Sequence, residues 1–311
     1  MPRQKIYIKL INWVIILAAY CYLAYKLVTF DNYADVVSSF HTADGWQYLC
    51  LIVCICLFPL NIWLESWRWR YIMRNIEPMT MLESQRQVYY GFIGAFLTPY
   101  RAGDFPARAM LLKDKKKNWL LCLIMGAVSG YAITMVIILL GIPSSFFFFA
   151  GEEGLQRLWL PIVAGVICIV LLLFSQRIFV LLARHSWRYQ KTQQVLDTLA
   201  AMTLRENLII LGQSTCRYVC FLLQLYLVLH FCGVELTLGD ALVCLPSYYL
   251  LITLTPYVPV AELGVRGSWA MVVFGKFVPD ASAAAVIAAC ILWIINTIPP
   301  MIIGSFMKPK N

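Results

Sequence analysis

Leu97-Thr98-Pro99-Tyr100-Arg101-Ala102-Gly103-Asp104-Phe105-Pro106-Ala107-Arg108 interrupts an apolar stretch at the point where a membrane helix would otherwise run on. Leu254-Thr255-Pro256-Tyr257-Val258-Pro259-Val260-Ala261-Glu262-Leu263-Gly264-Val265-Arg266 opens in the same way. Both begin Leu-Thr-Pro-Tyr, then bring a glycine with an acidic residue close by, and then an arginine. Pro99 and Pro256 lie 157 positions apart, close to half of the 311 residues. Proline lacks the amide that a helix interior needs, and its ring clashes with the preceding turn. The two pieces, 89–112 and 241–274, therefore read as helical hairpins broken in the middle rather than as uninterrupted spans.

Six apolar runs surround them, at about 10–28, 46–64, 119–140, 158–174, 208–231 and 283–303. A run of about 20 apolar residues crosses the roughly 30 Å of hydrocarbon in a bilayer. The first run continues past the residues that would resemble a signal-peptide cut and reads as a retained span. Basic residues place the loops. The segments between alternate runs hold 18 of the 25 Lys and Arg, the opposite side holds Lys26, Arg157 and Lys276, and Arg101, Arg108, Arg217 and Arg266 lie within apolar pieces. The positive-inside rule then puts both termini in the cytoplasm. Six spans close that topology only if each hairpin enters and leaves on one face, the first from the cytoplasm and the second from outside. The expected architecture is an all-α polytopic membrane protein of six transmembrane helices and two oppositely oriented re-entrant hairpins. It forms one membrane domain over 1–311, as an inverted repeat of 1–142 and 158–311.

Composition agrees. Hydrophobic residues make up 61% of the chain and charged residues only 13%, with mean hydropathy +0.74. Soluble domains carry about 25% charged residues, so a soluble enzyme is excluded, and no stretch of about 100 mixed-polarity residues remains for a soluble catalytic domain. The net charge of +9 follows the loop pattern and forms no basic face for nucleic acid. Most of the 11 cysteines, Cys54 and Cys122 among them, are small apolar fillers in helices. No metal motif, catalytic triad or cofactor signature is present, so the expectation is a transporter without metal or cofactor and not an enzyme.

Non-helical backbone at membrane depth survives only when buried in protein or lining a polar cavity. Interrupted segments at matching positions of two halves point to a transporter's binding site. Half-helix N-termini there suit an anion, and arginine forks suit phosphate. The candidate substrate-binding residues are Arg101, Asp104, Arg108, Glu262 and Arg266, joined by Gln213 and Arg217 of the fifth span. Pro99, Tyr100, Gly103, Pro256, Tyr257, Pro259 and Gly264 shape the breaks. The plainer alternative makes Arg101–Asp104 and Glu262–Arg266 ion pairs that pin the hairpins, with Arg108 snorkelling to the cytoplasmic interface. Glu65, Arg68 and Arg70 read as the solvated end of the second span, and Phe146–Phe149 as an interfacial anchor.

At these residues the chain resembles the flippase-like transmembrane region of the lysylphosphatidylglycerol synthase family, as a stand-alone member. The resemblance rests on Arg68-Trp69-Arg70, on Gly94 with Pro99-Tyr100-Arg101-Ala102-Gly103-Asp104 and Arg108, and on Pro256 with Gly264-Val265-Arg266. Asp104 stands where the family usually has Glu. The second block departs further, with Val260-Ala261 in place of a Gly-Gly pair and its carboxylate at Glu262. The resemblance implies a flippase for a phospholipid or a related anionic or aminoacylated lipid in a bacterial inner membrane, as a monomer or homodimer. The competing expectations are an ion-coupled carrier of a small solute and, behind it, an intramembrane lipid-modifying enzyme.

Overall fold

A computed structural model describes residues 44–98, 101–150, 163, 166, 190–255 and 262–307. The expected first and fourth spans, 10–28 and 158–174, fall outside that description apart from two positions of the fourth, as do Pro99, Tyr100, Pro256, Tyr257 and Pro259. Every regular element among the described residues is helical. In chain order the α-helices are α1 (Gly45–Met73), α2 (Met81–Leu97), α3 (Asp104–Ala109), α4 (Lys115–Ala150), α5 (Gln190–Ala200), α6 (Leu204–Phe231), α7 (Leu238–Leu254), α8 (Glu262–Gly275) and α9 (Ser282–Ser305), with a short 3-10 turn at Pro279–Ala281 before α9.

Four of them, α1, α4, α6 and α9, are long and apolar enough to cross a membrane. Their outward faces carry large apolar side chains, as lipid contact requires. On α1 these include Leu49, Ile52, Ile55, Leu60 and Trp63. Two helices overrun the spans expected from hydropathy. α1 continues through Arg68 and Arg70 to Met73, and α4 continues through Pro143 to Ala150. The expected half boundary at 142 therefore falls inside α4. Phe148 is buried in the apolar core at the end of that helix while Phe149 is exposed, so the expected loop anchor is a helix end packed on one side.

Neither α2 nor α7 is long enough for a span. Each has 17 residues, which at 1.5 Å per residue reach about 25 Å. Both begin before the expected hairpin limits, and they begin and end 157 positions apart, the spacing of Pro99 and Pro256. Their N-caps are made alike. The Thr80 hydroxyl accepts from the Glu83 amide at 3.2 Å, and the Thr237 hydroxyl accepts from the Asp240 amide at 3.2 Å. Such a cap satisfies one of the orphan donors at a helix start and contributes about 1 kcal/mol. Each helix then ends at an extended threonine, Thr98 or Thr255.

After the break, α3 folds back on α2. Gly94 and Gly103 cross so closely that a Cβ on either would collide with the other's backbone carbonyl. The Gly103 amide donates to the Thr98 hydroxyl at 2.6 Å and holds the turn. Between the sequence halves, α1 packs on α6, α4 on α7, and α9 on α2. The last two packings match in detail. A Cβ on Gly141 of α4 would strike the Pro246 carbonyl and Leu250 of α7, and one on Gly304 of α9 would strike the Tyr89 carbonyl and meet Ile93 of α2. Tyr89 and Pro246 are 157 positions apart, as are Ile93 and Leu250. Small residues at such crossings let backbones approach, which is how helices associate where lipid removes the hydrophobic drive.

Candidate functional site

Along α1, Asn61, Glu65 and Arg68 recur at i, i+4 and i+7 and so share one face. On α6, Gln213, Arg217 and Gln224 recur at i, i+4 and i+11, which also share one face. The packing of α1 on α6 turns these polar faces toward each other. Asn61 and Gln224 bond across at 3.3 Å, Asn296 of α9 bonds the same Gln224 carbonyl at 3.2 Å, and the Gln224 amide donates to the Cys54 carbonyl. This amide chain closes one end of a polar core that two apolar clusters flank.

Glu65 is the centre of that core. Its carboxylate accepts from Arg68 at 2.5 Å, from Arg217 at 2.8 Å and from Arg108 at 2.9 Å, which draws α1, α6 and α3 together. Glu65, Arg68 and Arg108 are each only 2% exposed. The expectation that Glu65 and Arg68 form a solvated span end is therefore corrected. The helix does not stop at Leu64, and its next turn faces protein. Arg108 does not snorkel to the interface. It grips Asp104 with Nε at 2.7 Å and Nη2 at 2.9 Å, its ring neighbours being Trp69 and Phe105. Asp104 thus pairs with Arg108 and not with Arg101, because residues four apart on a helix share a face. Arg68 also donates to Ser214 at 2.8 Å, and Arg217 to Asn61 at 3.0 Å.

The second break repeats the device one residue late. Glu262 is the first residue of α8, as Asp104 is of α3, and Arg266 holds it at 3.0 Å through both Nε and Nη2. Each acid meets the partial positive charge of its own helix start, so the half-helix N-termini are already served by side chains of this chain.

Arg101 stands apart. It sits in the break at φ 57, a left-handed conformation that L side chains rarely adopt, and it is exposed. Its guanidinium lies 5.0 Å from the Phe92 ring centre, and no carboxylate among the described residues pairs with it. Non-glycine residues in that region cost about 1–3 kcal/mol and cluster at functional sites.

These groups line a cavity of about 430 Å³. Its wall takes Glu65, Arg68, Arg101, Asp104 and Arg108 from the first half and Arg217, Tyr249, Arg266 and Asn296 from the second. Of the expected site residues, Arg101, Asp104, Arg108, Arg217 and Arg266 meet here. Glu262 reaches the cavity through Arg266. Gln213 is buried on α6 away from the wall, Gly103 holds the first turn, and Gly264 lies in the first turn of α8 with open space around it. Sequence reasoning missed Glu65, Asn61, Gln224 and Asn296. The signal for the first two was their four-residue spacing on a helix that hydropathy cut short. Among the described residues no group of His, Cys, Asp and Glu is arranged to hold a metal ion.

The sequence model of the family described as Lysylphosphatidylglycerol synthase TM region matches residues 10–304. No curated protein and no solved structure matches the chain.

Proposed function

The chain belongs to the lysylphosphatidylglycerol synthase transmembrane-region family and is a multi-pass membrane protein, and from that premise we propose that it moves a lipid headgroup between leaflets through the arginine-lined cavity. The headgroup is that of a phospholipid or of a related anionic or aminoacylated lipid, and its acyl tails stay in the bilayer as it passes. The protein acts as a transporter and not as an enzyme, in a bacterial inner membrane, with both termini in the cytoplasm. The observation that carries this reading is the cavity itself. About 430 Å³ of polar space, walled by both halves and holding five arginines, lies inside a protein of apolar helices. An ionisable side chain at the bilayer centre costs about 2.5–3.5 kcal/mol on insertion scales, so a cluster of this size calls for a function.

Two further observations support it. α2 and α7 are too short to span and break at matching places, which is what a pair of hairpins dipping from opposite faces requires. The crossings of α4 on α7 and of α9 on α2 are interchangeable in sequence position, as an inverted repeat demands. In this reading α2 with α3 enters from the cytoplasmic face and α7 with α8 from the other.

Proteoliposomes carrying a tail-labelled fluorescent phospholipid test the proposal. A membrane-impermeant reductant bleaches only the outer leaflet of protein-free vesicles, about half the signal. Vesicles holding the protein should bleach further, and Arg217→Gln should slow that excess at least tenfold. Bleaching that stops at the protein-free level for every anionic, zwitterionic and aminoacylated lipid tried would refute lipid movement.

A further inference from the structure

Resting on the lipid-moving reading, we infer that the cavity selects a terminal phosphate, the dianionic phosphomonoester end of a membrane lipid, and rejects headgroups that carry an ammonium. The inference starts from charge. Among the described residues around the first break, Glu65 and Asp104 face Arg68, Arg101, Arg108 and Arg217, which leaves an excess of two positive charges. The remaining pair, Glu262 with Arg266, is neutral between its two members. Both oxygens of Glu65 and both of Asp104 are already engaged by guanidinium groups. Among the described residues, an ammonium entering this space meets four arginines and no carboxylate that is not already shared with one.

The hydrogen-bonding chemistry of the wall points the same way. Its five arginines can only donate, and the hydroxyls of Ser129, Thr134, Tyr218 and Tyr249 belong to wall residues that can donate as well. A wall so rich in donors suits a ligand that is rich in acceptors. A phosphomonoester brings three peripheral oxygens and a charge of about −1.5 to −2 at neutral pH. It matches the excess of two. A phosphodiester brings two such oxygens and a single charge, and zwitterionic and aminoacylated heads bring an ammonium for which no unshared carboxylate stands among the described residues of the wall. Arg101, held in the break by a strained backbone and tied to no carboxylate among the described residues, is the guanidinium left for the incoming oxygens.

Native mass spectrometry of the purified full-length chain in detergent micelles tests the inference. Equimolar phosphatidic acid, phosphatidylglycerol, phosphatidylethanolamine and an aminoacylated phosphatidylglycerol compete for the protein, and inorganic phosphate is titrated separately. Phosphatidic acid should be retained about tenfold or more over phosphatidylglycerol, with the other two near background. That preference should fade as pH falls through about 6, where the monoester takes up its second proton. Arg101→Gly, which removes no ion pair among the described residues and relieves the backbone, should lose the preference while its melting temperature is kept. Arg101→Lys should recover part of it. Aminoacylated lipid binding as tightly as phosphatidic acid overturns the inference. So does phosphatidylglycerol binding best, with excess bleaching still seen in vesicles, and then lipid movement stands while its substrate class changes. Binding of inorganic phosphate with no lipid class enriched overturns both.

Discussion

Glu65→Gln is the substitution on which the account of the polar core depends most. The wild-type carboxylate touches three guanidinium groups at 2.5, 2.8 and 2.9 Å. One such pair at 2.8 Å attracts with about 6 kcal/mol at an effective dielectric of roughly 20. Repulsion among the three arginines and the desolvation of every ion offset most of the sum. Removing one partner of a buried pair still costs about 3–5 kcal/mol, because it leaves uncompensated charge behind. Glutamine is close in shape but turns an NH₂ donor toward arginines that can only donate, so the upper end, about 4–5 kcal/mol, is expected. The 10 tryptophans provide an intrinsic fluorescence signal for thermal unfolding in detergent, and the transition should fall by on the order of 10 °C. Adding Arg217→Gln removes one of the stranded charges, and the double variant should regain roughly half the loss, with a coupling of about 1–3 kcal/mol. A single variant melting within about 2 °C of wild type, or a double variant no better than Glu65→Gln alone, would refute the view of Glu65 as the clasp of α1, α3 and α6.

Other consequences are cheaper to check. Arg101→Gly relieves the left-handed backbone, so its thermal stability should hold or rise by up to about 1 kcal/mol, and a loss larger than that would make Arg101 a structural residue. Gly141→Val and Gly304→Val place a side chain against the backbone of α7 and α2. Each should destabilise by about 1–3 kcal/mol, whereas Gly212→Ala, with open space around it, should not destabilise at all. Glu77 is buried and accepts from the Lys113 amide at 3.0 Å and the Asn118 side chain at 3.1 Å. Glu77→Ala should cost about 1–3 kcal/mol and speed tryptic cleavage at Lys113–Lys117, and unchanged digestion would show that this clip does not hold the start of α4.

Much of this protein was legible in one dimension, because bilayer thickness and backbone hydrogen bonding act on short segments. Hydropathy alone required membrane helices, and the prolines with their 157-residue spacing located the two breaks. That spacing turns out to govern the ends of α2 and α7, their threonine caps and the crossings with α9 and α4. Arg101, Asp104, Arg108, Arg217 and Arg266 were conspicuous as charges within apolar pieces and do line one cavity. Partner choice was not legible. Arg101 and Arg108 are both near Asp104 in sequence, and only the start of α3 at Asp104 puts Arg108 on its face. Glu65 was invisible for a different reason. At the end of an apolar run a carboxylate reads as wet, and what makes it dry is the continuation of α1 by two more turns against α3 and α6. Charge placed along a helix follows from residue identity. Which charges meet, and whether water reaches them, depends on how helices far apart in the chain rotate and pack, and only the tertiary structure decides that.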